Sequence, residues 1–259
     1  MSGLTCSPTA FCLCRKISGR RRGVRWWFAS MGWKGALPMR PGRKPTNVTI
    51  IASLLQLAEQ GFVTYAPQNP YIGEDRFRLI QRKGHPVKLA LFSFVLGQHQ
   101  RTLEWLATLP FADPQRIGFY GLSYGGKTAV RVPPLLDGYA LSICSADFNE
   151  WVWKTTSVDS AYSYMLTPEY DMLEFDFANV VNYSDLAKLM APRPFMVERG
   201  HSDMVAPDEW VAYEYAKVRW FYDTRMRLQD RTAIEFFNGP HEINGKGTFE
   251  FLHQHLRWP

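Results

Sequence analysis

Ser123 lies in Gly121-Leu122-Ser123-Tyr124-Gly125, a G-x-S-x-G spacing that flanks a hydroxyl with two glycines. The apolar run Arg116-Ile117-Gly118-Phe119-Tyr120 before it reads as a strand, and Lys127-Thr128-Ala129-Val130 after it opens a helix. A strand that turns sharply into a helix with a serine at the apex is a nucleophile elbow. The turn is too tight for a Cβ two residues to either side of the serine. It lifts the hydroxyl above the sheet, and the helix start offers the Tyr124 backbone N–H to a developing oxyanion. The chemistry this implies is acyl transfer, and it requires a base and an acid from elsewhere in the chain.

Of the six histidines, His241 follows the last predicted strand directly, in Phe237-Asn238-Gly239-Pro240-His241-Glu242, where a loop can hang an imidazole over the serine. His201, also just past a strand, competes with it. His99 falls on the apolar stripe of a helix and reads as a buried structural histidine. For the acid, Gly200-His201-Ser202-Asp203 follows the penultimate strand, which gives the chain order Ser123, Asp203, His241. Asp147, Glu198 and Asp208 are rivals to Asp203; Asp208 is best explained as the cap of a helix beginning at Glu209.

The elements that must hold these groups alternate between strand and helix. Strands are expected at 24–30, 62–67, 116–120, 139–144, 195–200 and 233–237. Helices are expected from about 47 to 58, at 89–109, at 209–222 and at 248–256, with a charged loop around 74–83. Such alternation implies an α/β fold, a mostly parallel sheet of about six to eight strands with helices on both faces. Between 148 and 190 the alternation lapses in an aromatic-rich insertion carrying Trp151, Trp153, Tyr162, Tyr164, Tyr170, Phe175, Phe177 and Tyr183. These residues read either as extra helices packed on the domain or as a cap whose aromatics line a substrate pocket. The expected organisation is a basic, unstructured leader at 1–23 and one domain at 24–259.

From about Asn47 onward the chain resembles the α/β-hydrolase superfamily, nearest its dienelactone-hydrolase-like and acetyl-xylan-esterase-like branches. The resemblance rests on Gly121-Leu122-Ser123-Tyr124-Gly125-Gly126, on Ala191-Pro192-Arg193-Pro194 leading into the strand before Asp203, and on Gly239-Pro240-His241. It implies an acyl-enzyme mechanism in which Ser123 attacks, His241 shuttles the proton and Asp203 orients His241. True dienelactone hydrolases use a cysteine nucleophile, so Ser123 argues against that substrate. The family's first oxyanion donor usually sits in a His-Gly loop after the third strand. The matching stretch here is Ser30-Met31-Gly32-Trp33-Lys34-Gly35, with Gly32 and Trp33 as candidates and Met31 where the histidine would stand. Little chain precedes Val24 for the family's usual first two strands, which is consistent with a shortened sheet.

Charge and cysteine usage narrow the alternatives. The net charge of +6 arises before Glu59, where ten Lys and Arg face no acidic residue; the remainder holds 20 basic and 24 acidic side chains, a net of −4. A basic leader on an acidic domain without a nucleic-acid motif argues against nucleic-acid binding. No apolar run is long enough for an integral membrane segment, and the basic cluster follows the weakly apolar run at 10–14, the wrong order for a secretory signal, which slightly favours the cytoplasm. Cys6, Cys12, Cys14 and Cys144 show no metal-ligand spacing, so neither metal nor cofactor is expected, and Cys144 reads as a packed small hydrophobe. The reading is a serine esterase acting on small or carbohydrate-linked esters. Two alternatives stand beside it, a serine peptidase of prolyl-oligopeptidase type and a non-catalytic binding protein of the same fold.

Overall fold

The computed structural model describes residues 12–13, 26–31, 55–67, 76–165, 174 and 176–257. Among them, seven strands form one sheet: β1 (Cys12–Leu13), β2 (Trp26–Met31), β3 (Val63–Tyr65), β4 (Gly118–Leu122), β5 (Leu141–Ser145), β6 (Phe195–Gly200) and β7 (Thr232–Phe237). Their order is β1-β3-β2-β4-β5-β6-β7. β1 runs antiparallel to β3 and every other pairing is parallel. Two residues of the stretch read as a leader are therefore part of the sheet. Every residue of β4, β5 and β6 is buried, as expected of central parallel strands covered on both faces, whereas β7 is half-buried throughout.

Period-two alternation along these strands sorts their side chains into two cores. Phe119, Cys144, Phe195 and Val197 face one side, where they meet α2 (Leu91–Leu106), α3 (Tyr124–Arg131) and α7 (Asp208–Trp220). Tyr120, Leu141, Ile143 and Met196 face the other, against Leu57, Phe62 and the closing helix α8 (Lys246–Leu256). Cys144 is fully buried, and burial pushes its thiol well above the ordinary range, so it packs as an apolar group. Residues 55–59 are helical, as expected for that stretch.

The expected charged loop around 74–83 is a helix, α1 (Arg76–Gly84). Arg, Leu, Gln and Lys are all good helix formers, and Gln81 and Gly84 turn one side of it inward. The insertion supplies three short helices: α4 (Trp151–Thr156), α5 (Phe177–Val180) and α6 (Tyr183–Lys188). Trp151 and Tyr183 are fully buried there and stack with ring centroids 5.2 Å apart. Much of the insertion's aromatic content is thus packing against the domain, while Trp153 stays largely exposed.

His99 is fully buried in α2, with its Nδ1 2.8 Å from the Tyr139 hydroxyl, and burial lowers its pKa to about 3. The folded state therefore resists a proton that the unfolded chain accepts near pH 6.5, so stability falls as pH drops from about 6.5 towards about 3. Replacing His99 by Gln is expected to flatten that fall by up to about 1.4 kcal/mol per pH unit, measured as urea stability at pH 7 and pH 4.5.

Candidate active site

Parallel register fixes where the chemistry can occur. Met31, Leu122, Ser145, Glu198 and Glu235 form one row across β2, β4, β5, β6 and β7. These strands end at a single edge of the sheet, the carboxyl edge where ligands of open α/β sheets bind. Ser123 follows β4, Asp147 follows β5, Asp203 follows β6 and His241 follows β7.

Ser123 adopts φ 61° and ψ −117° between β4 and α3. A non-glycine residue held there stores of order 1–3 kcal/mol of strain. Its own N–H donates to the Ser145 carbonyl at 3.0 Å, and its carbonyl accepts from Lys127 at 2.9 Å. A Cβ on Gly121 would stand 2.1 Å from the Gly125 carbonyl oxygen, and one on Gly126 would stand 2.4 Å from that of Ser145. Glycine is required at both places because backbone meets backbone. Tyr124 is the first residue of α3, so its N–H has no intrahelical acceptor. Its ring is fixed by stacking on Phe92, 5.4 Å between centroids.

Another close backbone approach builds the opposite side. A Cβ on Gly200 would lie 2.4 Å from the Pro240 carbonyl oxygen and 2.5 Å from that of Gly239. The loop after β7 thus lies directly on the end of β6, pinned by His201 N–H to the Phe237 carbonyl (2.9 Å) and Ser202 N–H to the Gly239 carbonyl (3.0 Å). This brings His241 Nδ1 to 2.9 Å from Asp203 Oδ2. Arg199 Nη1 lies 3.0 Å from the same oxygen, and Val205 N–H donates to Oδ1 at 2.9 Å. Burial alone would raise the Asp203 pKa. The hydrogen bond and charge of His241, the Arg199 guanidinium and the Val205 N–H together hold it below the ordinary carboxylate range. An ionised carboxylate only accepts, so Nδ1 of His241 carries the hydrogen that faces Asp203, and Nε2 is the nitrogen left to exchange a proton.

The structure joins Asp203 to His241, and among the described residues no hydrogen bond links Ser123 to His241. Gly32 and Trp33 lie outside the described residues. The rivals are engaged elsewhere. His201 contacts Asp208 and stacks on Phe236, and Asp147 accepts from the Tyr183 hydroxyl at 2.9 Å. Asp208 is not the expected cap: Pro207 occupies that position, and Asp208 pairs with Arg199 (3.1 Å) and His201. Sequence reasoning missed Arg199, which also donates to the Asp203 carbonyl at 2.8 Å; a cation four residues ahead of a strand-end aspartate was the available signal. Among the described residues no cluster of His, Cys, Asp and Glu is arranged to hold a metal ion, and no helix is long and apolar enough to cross a membrane.

No family model matches the chain. Solved structures do resemble it. A glucuronoyl esterase of carbohydrate esterase family 15 from Caldicellulosiruptor kristjansonii superposes with a TM-score of 0.64 at 16% identity, over 89% of this chain and 68% of that one. Acetyl xylan esterase 1 from a Thermoanaerobacterium species gives 0.57 at 16%, over 92% and 75%. An acylaminoacyl peptidase from Pyrococcus horikoshii gives 0.57 at 18%, over 94% of this chain and only 36% of its own. The fold is that of the α/β-hydrolases.

In this α/β-hydrolase fold the crossing at Gly200 has a measurable consequence. Gly200→Ala is expected to cost about 1–3 kcal/mol, because the methyl group must displace the Gly239 and Pro240 carbonyls. Gly97→Ala, whose added Cβ meets nothing within 4 Å in the middle of α2, is expected to gain up to about 1 kcal/mol. Urea unfolding of the two variants should therefore move in opposite directions.

Proposed function

We propose that the protein is a serine esterase that hydrolyses carbohydrate-linked carboxylic esters through an acyl-enzyme intermediate. The observation that carries this reading is the 2.9 Å bond between His241 and an ionised Asp203, on the sheet edge where Ser123 sits at positive φ. The glucuronoyl and acetyl xylan esterases with this fold support the choice of ester and of a sugar-bearing substrate.

In this reading the turn at Ser123 is a nucleophile elbow. Nε2 of His241 accepts the Ser123 proton as Oγ attacks the ester carbonyl, and Asp203 stabilises the imidazolium that forms. The Tyr124 N–H donates to the oxyanion, and the resemblance assigns the facing donor to the Gly32–Trp33 backbone. His241 then returns the proton to the departing alcohol, and a water repeats the sequence on the acyl-enzyme. Catalytic hydrogen bonds such as that from Ser123 to His241 commonly tighten only around bound substrate.

Ser123→Ala is expected to lower kcat on p-nitrophenyl acetate and on acetylated xylan by about 10⁴–10⁶-fold, and to abolish labelling by a fluorophosphonate probe. Wild-type protein that turns over neither ester and leaves Ser123 unlabelled would instead be a binding protein of this fold. Cleavage of acylated peptides without ester turnover would make it a peptidase.

A further inference from the structure

Glu198 is fully buried near the end of β6, and among the described residues no basic side chain pairs with it. Its carboxyl is held by donors instead. Oε2 accepts from the Ser145 hydroxyl at 2.6 Å and the Tyr120 hydroxyl at 2.7 Å. Oε1 accepts from the Gly245 N–H at 2.9 Å and the Asn244 N–H at 3.1 Å, with the Thr248 hydroxyl at 3.4 Å. Burial raises its pKa, as does the nearby Glu235 carboxylate, while the hydrogen bonds from Ser145, Gly245 and Tyr120 act against that rise. Burying a carboxylate without a countercharge costs free energy that a well-packed apolar residue would not. Stability alone is therefore a poor account of this residue.

Its two oxygens face different parts of the site. The Oε2 side reaches the seat of the serine: Tyr120 lies in β4, three residues before Ser123, and the Ser145 carbonyl accepts the Ser123 N–H. The Oε1 side reaches the loop that carries His241, three residues before Asn244. One rigid carboxyl group thus spans from the turn holding the serine to the loop holding the imidazole. We propose that Glu198 is a positioning residue, which sets the separation of Ser123 and His241 by tying the 238–245 loop to Tyr120 and Ser145. The proposal rests on the esterase reading above.

Glu235 supplies the internal comparison. It is the register neighbour of Glu198 and accepts from the Asn244 side chain and from the Gly247 N–H at 3.0 Å, and neither contact involves Tyr120 or Ser145. A role limited to holding the start of α8 predicts equal losses when either glutamate is changed. A positioning role predicts unequal ones.

The test uses the full chain, with kcat and KM for p-nitrophenyl acetate, Tm, and the low-field proton resonance of the His241 Nδ1–H. Glu198→Gln keeps an oxygen for Asn244 and Gly245 and turns an N–H₂ toward the two hydroxyls, which must then accept where they donate in the wild type. It is expected to lower kcat about 10²-fold with KM within about threefold, and to weaken the low-field resonance. Glu235→Gln is expected to lose less than about fivefold in kcat. Equal losses in the two variants, or a kcat loss that simply follows Tm, would overturn the proposal. Should Glu198→Gln not fold, Tyr120→Phe removes one of the same bonds with the ring retained, and an unchanged kcat in that variant overturns the proposal too. If the wild type turns over no ester, it is the esterase reading that fails. The resonance then decides the tether by itself, weakened in Glu198→Gln if the tether exists and undiminished if it does not.

Discussion

Strands that run parallel must all end at the same edge, and this constraint organises the rest of the molecule. Because β4, β5, β6 and β7 hydrogen-bond in one register, the loops leaving them converge without special provision. What remains is to aim those loops. The fold does this by letting backbone touch backbone, at Gly121 against Gly125 and at Gly200 against Gly239 and Pro240. Neither contact leaves room for a side chain, so each aims its loop through backbone and not through a rotamer.

Polar side chains beneath the edge do the finer positioning. Arg199 neutralises Asp203 from below and also holds Asp208 and two loop carbonyls, so the acid is enclosed by its own strand end and the start of α7. Glu198, on the other face of β6, is satisfied by hydroxyls and backbone N–H groups in place of a cation. Consecutive residues of one strand thus serve opposite faces of the sheet, as period two requires.

The parts of the fold legible in the sequence were those with a local signature. Glycine spacing around Ser123, the apolar runs of β4 to β7 and the helical stripe Val95, His99, Leu103 and Leu106 each follow from backbone sterics or periodicity over a few residues. Asp203 and His241 were placed by chain order, and the structure joins them. Other features depend on distant partners. A run of Arg, Gln and Lys says nothing about whether a neighbour covers one side of it, so from sequence α1 reads as a loop. Asp208 looks like any helix-opening aspartate until Arg199 and His201 are seen beside it. A separation of 78 positions along the chain hides the contact of Tyr120 with Glu198 from any window of sequence.

All eight residues of α3 are buried, including Lys127 and Arg131, whose cationic heads lie over the Trp151 ring at 4.2 Å and 4.9 Å from its centroid. A helix enclosed on every side cannot tilt or slide without disrupting both its apolar and its cationic contacts. The backbone under Ser123 is therefore the stationary half of the site. The half-buried β7 and the loop beyond it carry the other half. In the proposed mechanism the serine is therefore held by a helix buried on every side, and the imidazole by the few backbone and carboxyl contacts that pin its loop to β6.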